Sequence, residues 1–158
     1  MTDITLALKL IHVLGAAVLF GTGLGIAYFM WMAHRTGDAA TITATARVVV
    51  IADAIFTASA VIMQPVSGAL LAWSLGYRLI EPWIIASLAL YLLVGLCWLP
   101  VVGIQIALRN LARTAAATGS ELPTRYHRLF RLWFALGWPA FLGVIGIFAL
   151  MIWRPHLW

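Results

Sequence analysis

His12 is the residue in this chain best placed to do chemistry. It stands in a long apolar run, Ile4 to Trp31, and is followed by Gly15, Ala16, Ala17, Gly21, Gly23 and Gly25. In helical spacing Gly15 and Ala16 lie one turn from His12, and Leu19 and Gly23 continue the same face. An imidazole in hydrocarbon is costly without a partner, so it marks a functional site by default. A neutral imidazole can ligate haem iron, and a face of small residues leaves room for a porphyrin plane. The same face can instead admit a second helix at close range, with His12 as a hydrogen bond between helices. His12 falls roughly 12 Å along the helix axis from the outer end, about two turns in.

Other residues could join it. Met63, Gln64 and Ser67 reach His12's depth if the next helix runs antiparallel. Met63 is a candidate second axial ligand, because thioether and imidazole together can hold haem iron, although a methionine there is more often core filler. Lys9, three residues before His12, is a candidate partner for a propionate. Asp53 is the one acid well inside an apolar run. It reads first as half of a structural ion pair with Arg109, or as a side chain snorkelling to the interface. A proton relay or a propionate neighbour is the functional alternative. Gln64 stands beside Pro65 and is expected to satisfy the carbonyl that the proline frees. His34 and His127 fall at helix ends and His156 in the tail, where solvation accounts for them. Cys97 is the single cysteine, which excludes a disulfide framework or a cysteine zinc site. Gly21 and Gly25 form a GxxxG spacing that permits close helix contact within or between subunits. No Walker loop, HExxH or nucleophile elbow is present.

The elements that must position these residues are membrane helices. The 158 residues are 64% hydrophobic and 9% charged, with a mean hydropathy of +1.02. Soluble domains carry roughly 25% charge. The pattern predicts an all-α, integral membrane, antiparallel four-helix bundle in one domain, 1–158, with helices over about 4–33, 43–75, 82–113 and 124–153. Pro65, Pro100 and Pro139 fall inside them, with kinks expected at the first two. The formal charge of +5 does not point to nucleic acid, because the basic residues sit at helix ends. Arg35, Arg47, Arg109, Arg113, Arg125, Arg128 and Arg131 cluster at the links after the first and third helices, against Lys9, Arg78 and Arg154 at the other end. That bias puts both termini on the periplasmic side of a bacterial inner membrane. Trp73, Trp83, Trp153 and Trp158 would then form the outer belt, and Trp31 and Trp133 the inner one. Met1 to Asp3 lacks a positive leader region, so no cleaved signal is expected.

The stretches LKLIHVLGA, MQPVSG, WLPVVGIQIALRNLAR, YHRLFRLWF and WPAFLGVIGIFALMIWRP resemble a bacterial family of small integral membrane proteins of unassigned function, over nearly the whole chain. More distantly the pattern resembles HemJ-type protoporphyrinogen oxidases and CopD-like membrane proteins. HemJ proteins likewise open on a Leu/Ile-His pair followed by small residues. They carry a Met-x-Pro in the second helix, matched by Met63 and Pro65, and a basic residue and proline at the end of the last, matched by Arg154 and Pro155. The resemblance implies haem b bound through His12. It departs at the third helix, where HemJ proteins carry a histidine and this chain reads Val101, Val102, Gly103, Ile104, Gln105. Bis-histidine ligation from that helix is therefore excluded, and protoporphyrinogen oxidase activity does not carry over.

The expectation is a multi-pass, homo-oligomeric or complex-forming inner-membrane protein, in contact with membrane lipid. It would hold haem b at His12, Gly15, Ala16, Met63 and Lys9 and serve electron transfer, or the oxidation of a small molecule, coupled to a lipid-soluble carrier such as a quinone. The alternatives are a cofactor-free accessory or scaffold subunit, and a copper-handling membrane protein.

Overall fold

The structure, a computed structural model, describes residues 2–157. Among these the regular structure is helical throughout. Helix α1 spans Asp3–Thr36, α2 Ala39–Ser74, α3 Pro82–Thr118 and α4 Thr124–Trp153, each long and apolar enough to cross a membrane. The 34 residues of α1 extend for about 50 Å, longer than the roughly 30 Å of a bilayer's hydrocarbon. Large apolar side chains cover the outside, among them Leu92 at 65% exposure and Ile152 at 76%. A surface of that kind is stable against lipid and not against water. Trp73 and Trp153 stand at one end of the bundle, and Trp158, like Met1, lies outside the described residues.

The ends are set by local chemistry. Thr2 caps α1 by accepting from the Thr5 N–H. Gly37, at φ 68°, closes α1 in the left-handed region that favours glycine. Helix α2 begins at Ala39, ahead of the expected 43, because the Asp38 carboxylate accepts from the Ala40 and Thr41 N–H groups and from the Thr41 hydroxyl. Pro82 opens α3 at a position that needs no amide hydrogen. Helix α3 runs past the expected 113 to Thr118, where Gly119 at φ 62° stops it. Arg154 ends α4 at φ 44°, and its guanidinium donates to the Tyr77 hydroxyl at 2.5 Å and lies over the Tyr77 and Trp83 rings. That contact ties the end of the last helix to the α2–α3 turn.

The bundle is packed unevenly along its length. Toward the arginine-rich links all four helices share one core of Ile26, Met30, Ile42, Val49, Leu108, Tyr126, Phe130 and Trp133 with small residues between them. At the other end, the terminal end, the helices separate into two pairs: α1 lies on the second half of α2, and α3 lies on α4. Small residues allow the close approach. A Cβ at Gly143 would stand 2.7 Å from Val94 Cγ2, and one at Gly146 would stand 2.9 Å from Leu90 Cδ1. Phe20 stacks on Phe141 at 5.2 Å and links α1 to α4.

A second tie crosses from α3 to α2. Pro65 has no N–H to give the carbonyl four residues earlier, that of Val61. The Tyr91 hydroxyl donates to that carbonyl. Gln64 does not do so, contrary to expectation; its amide turns the other way, to α1. Two outcomes follow. Tyr91→Phe should lower the unfolding free energy by about 1–3 kcal/mol, because a buried acceptor loses its donor. The loss should shrink in a Pro65→Ala background, where the backbone supplies a new N–H; equal losses in both backgrounds would refute the pairing. Separately, Asp38 is held below the ordinary carboxylate range, first by the Thr41 hydroxyl and then by the Thr41 and Ala40 N–H groups. Its capping contribution is therefore present above the unfolded carboxyl's titration and disappears as pH falls through the lower folded value. Amide exchange at Ala40 and Thr41 should accelerate on that acid limb in the native chain and lose this dependence in Asp38→Asn.

Candidate functional site

Helix α1 brings His12 and Gly15 against the part of α2 that carries Met63, Gln64, Ser67 and Gly68. His12 Nδ1 lies 2.9 Å from Ser67 Oγ. The serine hydroxyl also lies 2.8 Å from the Met63 carbonyl, which can only accept. With its hydrogen on that carbonyl, Ser67 receives the hydrogen of His12 Nδ1, and the network assigns the neutral tautomer whose lone pair is on Nε2. The imidazole rests on Gly68, where a Cβ would stand 3.0 Å from His12 Cε1. Gln64 Nε2 donates to the His12 carbonyl at 2.9 Å. One residue is thus held through both its ring and its backbone by little more than one turn of α2, Gln64 to Gly68.

The small-residue face is only partly open. A Cβ at Gly15 would stand 2.5 Å from Gln64 Nε2 and 3.0 Å from Met63 Cε. Gly15 therefore admits α2 and does not leave room for a porphyrin plane, which corrects the expectation for that position. Gly21 and Gly23 have nothing within 4 Å. Ala16 is half-buried and Lys9 exposed. A groove of about 500 Å³ opens on the α1–α2 seam, with Leu8, Ile11, Ile62, Met63, Val66 and Ser67 among its walls; His12 does not line it and meets it only through its neighbour Ile11 and its partner Ser67. Met63 and Ser67 thus belong both to the seam and to the groove.

A family model described as predicted integral membrane protein (DUF2269) matches residues 6–155. The chain belongs to the DUF2269 family. No curated protein and no solved structure matches it.

Two further polar groups lie deeper in this DUF2269 chain. Asp53 is 4% exposed and opens a five-residue π-helical turn, Asp53–Thr57, in the middle of α2. Trp98 Nε1 donates to Asp53 Oδ1 at 3.2 Å. The Gln105 amide, turned so that both of its ends are satisfied, donates to Asp53 Oδ2 at 3.3 Å and accepts from Trp133 Nε1 at 3.3 Å. The expected pairing with Arg109 does not form, since that guanidinium donates to Asn110 Oδ1 at 3.1 and 3.3 Å. Nor does Asp53 snorkel to an interface. Toward the arginine end His34 stacks on Phe130 at 3.7 Å, with Tyr126 and His127 around it. His34 is thus part of an aromatic cluster and more than a solvated helix end.

Among the described residues no three His, Cys, Asp or Glu side chains converge as a metal site. Trp98, Gln105 and Thr57 were not singled out as site residues from the sequence. The one signal was positional, since Gln105 lies in the same apolar run as Trp98, seven residues or two helical turns on.

The packing at Gly15 gives a direct check. Gly15→Ala should displace the Gln64 amide from the His12 carbonyl and lower the unfolding free energy by about 0.5–1.5 kcal/mol. Gly21→Ala, with open space around it, should be close to neutral. Equal effects at the two positions in a denaturant titration would contradict the close approach.

Proposed function

We propose that this membrane protein binds haem b through His12 and carries electrons between a lipid-soluble donor, such as a quinol, and a partner in the membrane. The observation that carries the reading is the 2.9 Å contact of His12 Nδ1 with Ser67 Oγ. Ser67 takes the Nδ1 hydrogen and leaves the Nε2 lone pair for iron, the arrangement by which an outer hydrogen bond orients a ligating histidine. The apolar groove beside it suits a macrocycle, and Met63 contributes a thioether to the same walls. Lys9, exposed one turn outward, is the basic group for a propionate. The likeness to HemJ-type proteins at His12, Met63 and Pro65 points the same way, and the arginine distribution supports termini on the periplasmic side of a bacterial inner membrane. Haem iron, when bound, supplies one-electron chemistry. The chain's own residues orient the imidazole, wall the groove and keep water from it.

A second reading rests on the Gln64 contact and on Gly15 and Gly68. These make His12 a stitch between α1 and α2 that needs no cofactor, as in an accessory subunit of a larger complex. CopD-like copper handling has only the His12 and Met63 pair in its favour.

Spectra of the protein purified from membranes of cells supplied with haem precursor separate the readings. A reduced-minus-oxidised Soret and α band is expected, lost in His12→Ala and shifted in Ser67→Ala. A colourless, folded protein would overturn the haem reading. A colourless protein whose His12→Ala variant falls out of a co-purifying complex would establish the second.

A further inference from the structure

Asp53 lies among groups that can all donate to it but bring no charge. Its two hydrogen-bond donors, Trp98 Nε1 and the Gln105 amide, are neutral. The packed elements supply little else that titrates. Helix α1 has no titratable side chain between His12 and Tyr28, and α2 has none beyond Asp53 and none between Arg47 and Asp53. Helix α3 has only Cys97 between Tyr91 and Arg109, and α4 has none between Arg131 and Arg154. Arg47 is exposed and Arg109 is turned to Asn110. A carboxylate here therefore has no countercharge among the described residues, and an uncompensated charge in hydrocarbon is costly.

The neutral acid needs something different, an acceptor for its O–H. Thr57 ends the same π-helical turn, four residues on, and so faces the same side of α2. It is 6% exposed, and its hydroxyl is the single buried side-chain polar atom without a partner among the described residues. Threonine hydroxyls in helices usually turn back to a carbonyl one turn earlier, as Ser59, Ser67 and Thr114 do for this chemistry here. Thr57 does not. The Thr57 hydroxyl makes no hydrogen bond in the structure, to Asp53 or to a carbonyl, so it is free to turn toward the acid one turn away, on an interrupted helix of the kind found at functional sites.

We propose that Asp53 is a proton-binding site inside the membrane and that Thr57 Oγ1 receives the hydrogen bond of its acid form. In the binding step one proton from water forms an O–H bond on the carboxylate, the charge at the site goes from −1 to zero, and the new O–H donates to Thr57. Release reverses each change. Trp98 and Gln105 remain as donors in both states, and Gln105 passes the change on to Trp133, so the site touches α2, α3 and α4. The proposal does not depend on haem at His12.

Infrared difference spectra of the full chain in lipid, taken across a pH titration, test it. A protonated-carboxyl C=O band is expected that titrates with pH, is absent in Asp53→Asn and changes frequency in Thr57→Val, where the hydrogen-bond acceptor is gone. If the folded wild type shows no such band at any pH, or shows one that Asp53→Asn leaves in place, Asp53 is not the site. If the band is present and unmoved in Thr57→Val, the assigned acceptor is wrong. Should Asp53→Asn fail to fold, the Thr57→Val frequency alone decides, because that variant alters the band only if its carboxyl is the neighbour.

Discussion

A polar group inside hydrocarbon has no water to turn to, so it must find its partner in another helix or in its own. That constraint governs this bundle more than any apolar contact, because lipid solvates leucine as well as protein does. The Val61 carbonyl shows it most simply. Proline removes its amide, and the bundle supplies the Tyr91 hydroxyl from α3. His12 shows the same demand from the side-chain end, answered by Ser67 for the ring and by Gln64 at its backbone. Each answer is a crossing between helices, so the polar groups also fix how the helices sit.

The uneven core follows from the same logic. At the arginine end the chain fills the space with large side chains, among them Met30, Ile42, Leu108 and Tyr126, all fully buried. At the terminal end it has glycine, alanine and serine in the seams, which bring helices together in pairs but leave too little bulk to fill a four-helix centre. Grooves along the seams are a consequence of small-residue packing, and one of them runs beside His12. The same choice of residues that lets Gln64 reach the His12 carbonyl thus also leaves apolar room open to the bilayer.

The fold was legible from the sequence because long uncharged runs admit few readings. Asp38, a strong cap next to Gly37, is the local signal that sets the start of α2 at Ala39, four residues before the expected 43. The site was legible in part. His12 was found because an imidazole in an apolar run has no bland neighbours to explain it, and Met63 and Ser67 were placed near it by depth alone. What depth could not give was direction. The face of Gly15 admitted either a flat group or a close second helix, and it is the second that covers it, because which side of α1 meets α2 depends on the rotation of both helices. Asp53 was matched to Arg109 for the same reason: equal depth suggested a pair, while the guanidinium points elsewhere and two neutral donors take its place. The π-helical turn that aims Asp53 carries no composition of its own, since it shifts the phase of α2 by a fraction of a turn without a proline or glycine to mark it.

Helix α2 is consequently the least regular element and the one on which both polar sites stand. Asp53 and Ser67 are fourteen residues apart on it, about 21 Å along the axis, with the π turn at one and Pro65 beside the other. Both interruptions have partners from outside α2, although the π turn also keeps its own backbone bond from the Ala58 N–H to the Asp53 carbonyl. Trp98 and Gln105 reach the first from α3, and Tyr91 reaches the second from the same helix. Helix α3, which offers no acid of its own to either site, is thereby the element that braces both: its Trp98 and Gln105 meet Asp53, and its Tyr91 meets the Val61 carbonyl one turn before Pro65. A substitution at Tyr91 therefore acts first on the Val61 carbonyl of α2, the same helix whose Gln64 and Ser67 hold His12.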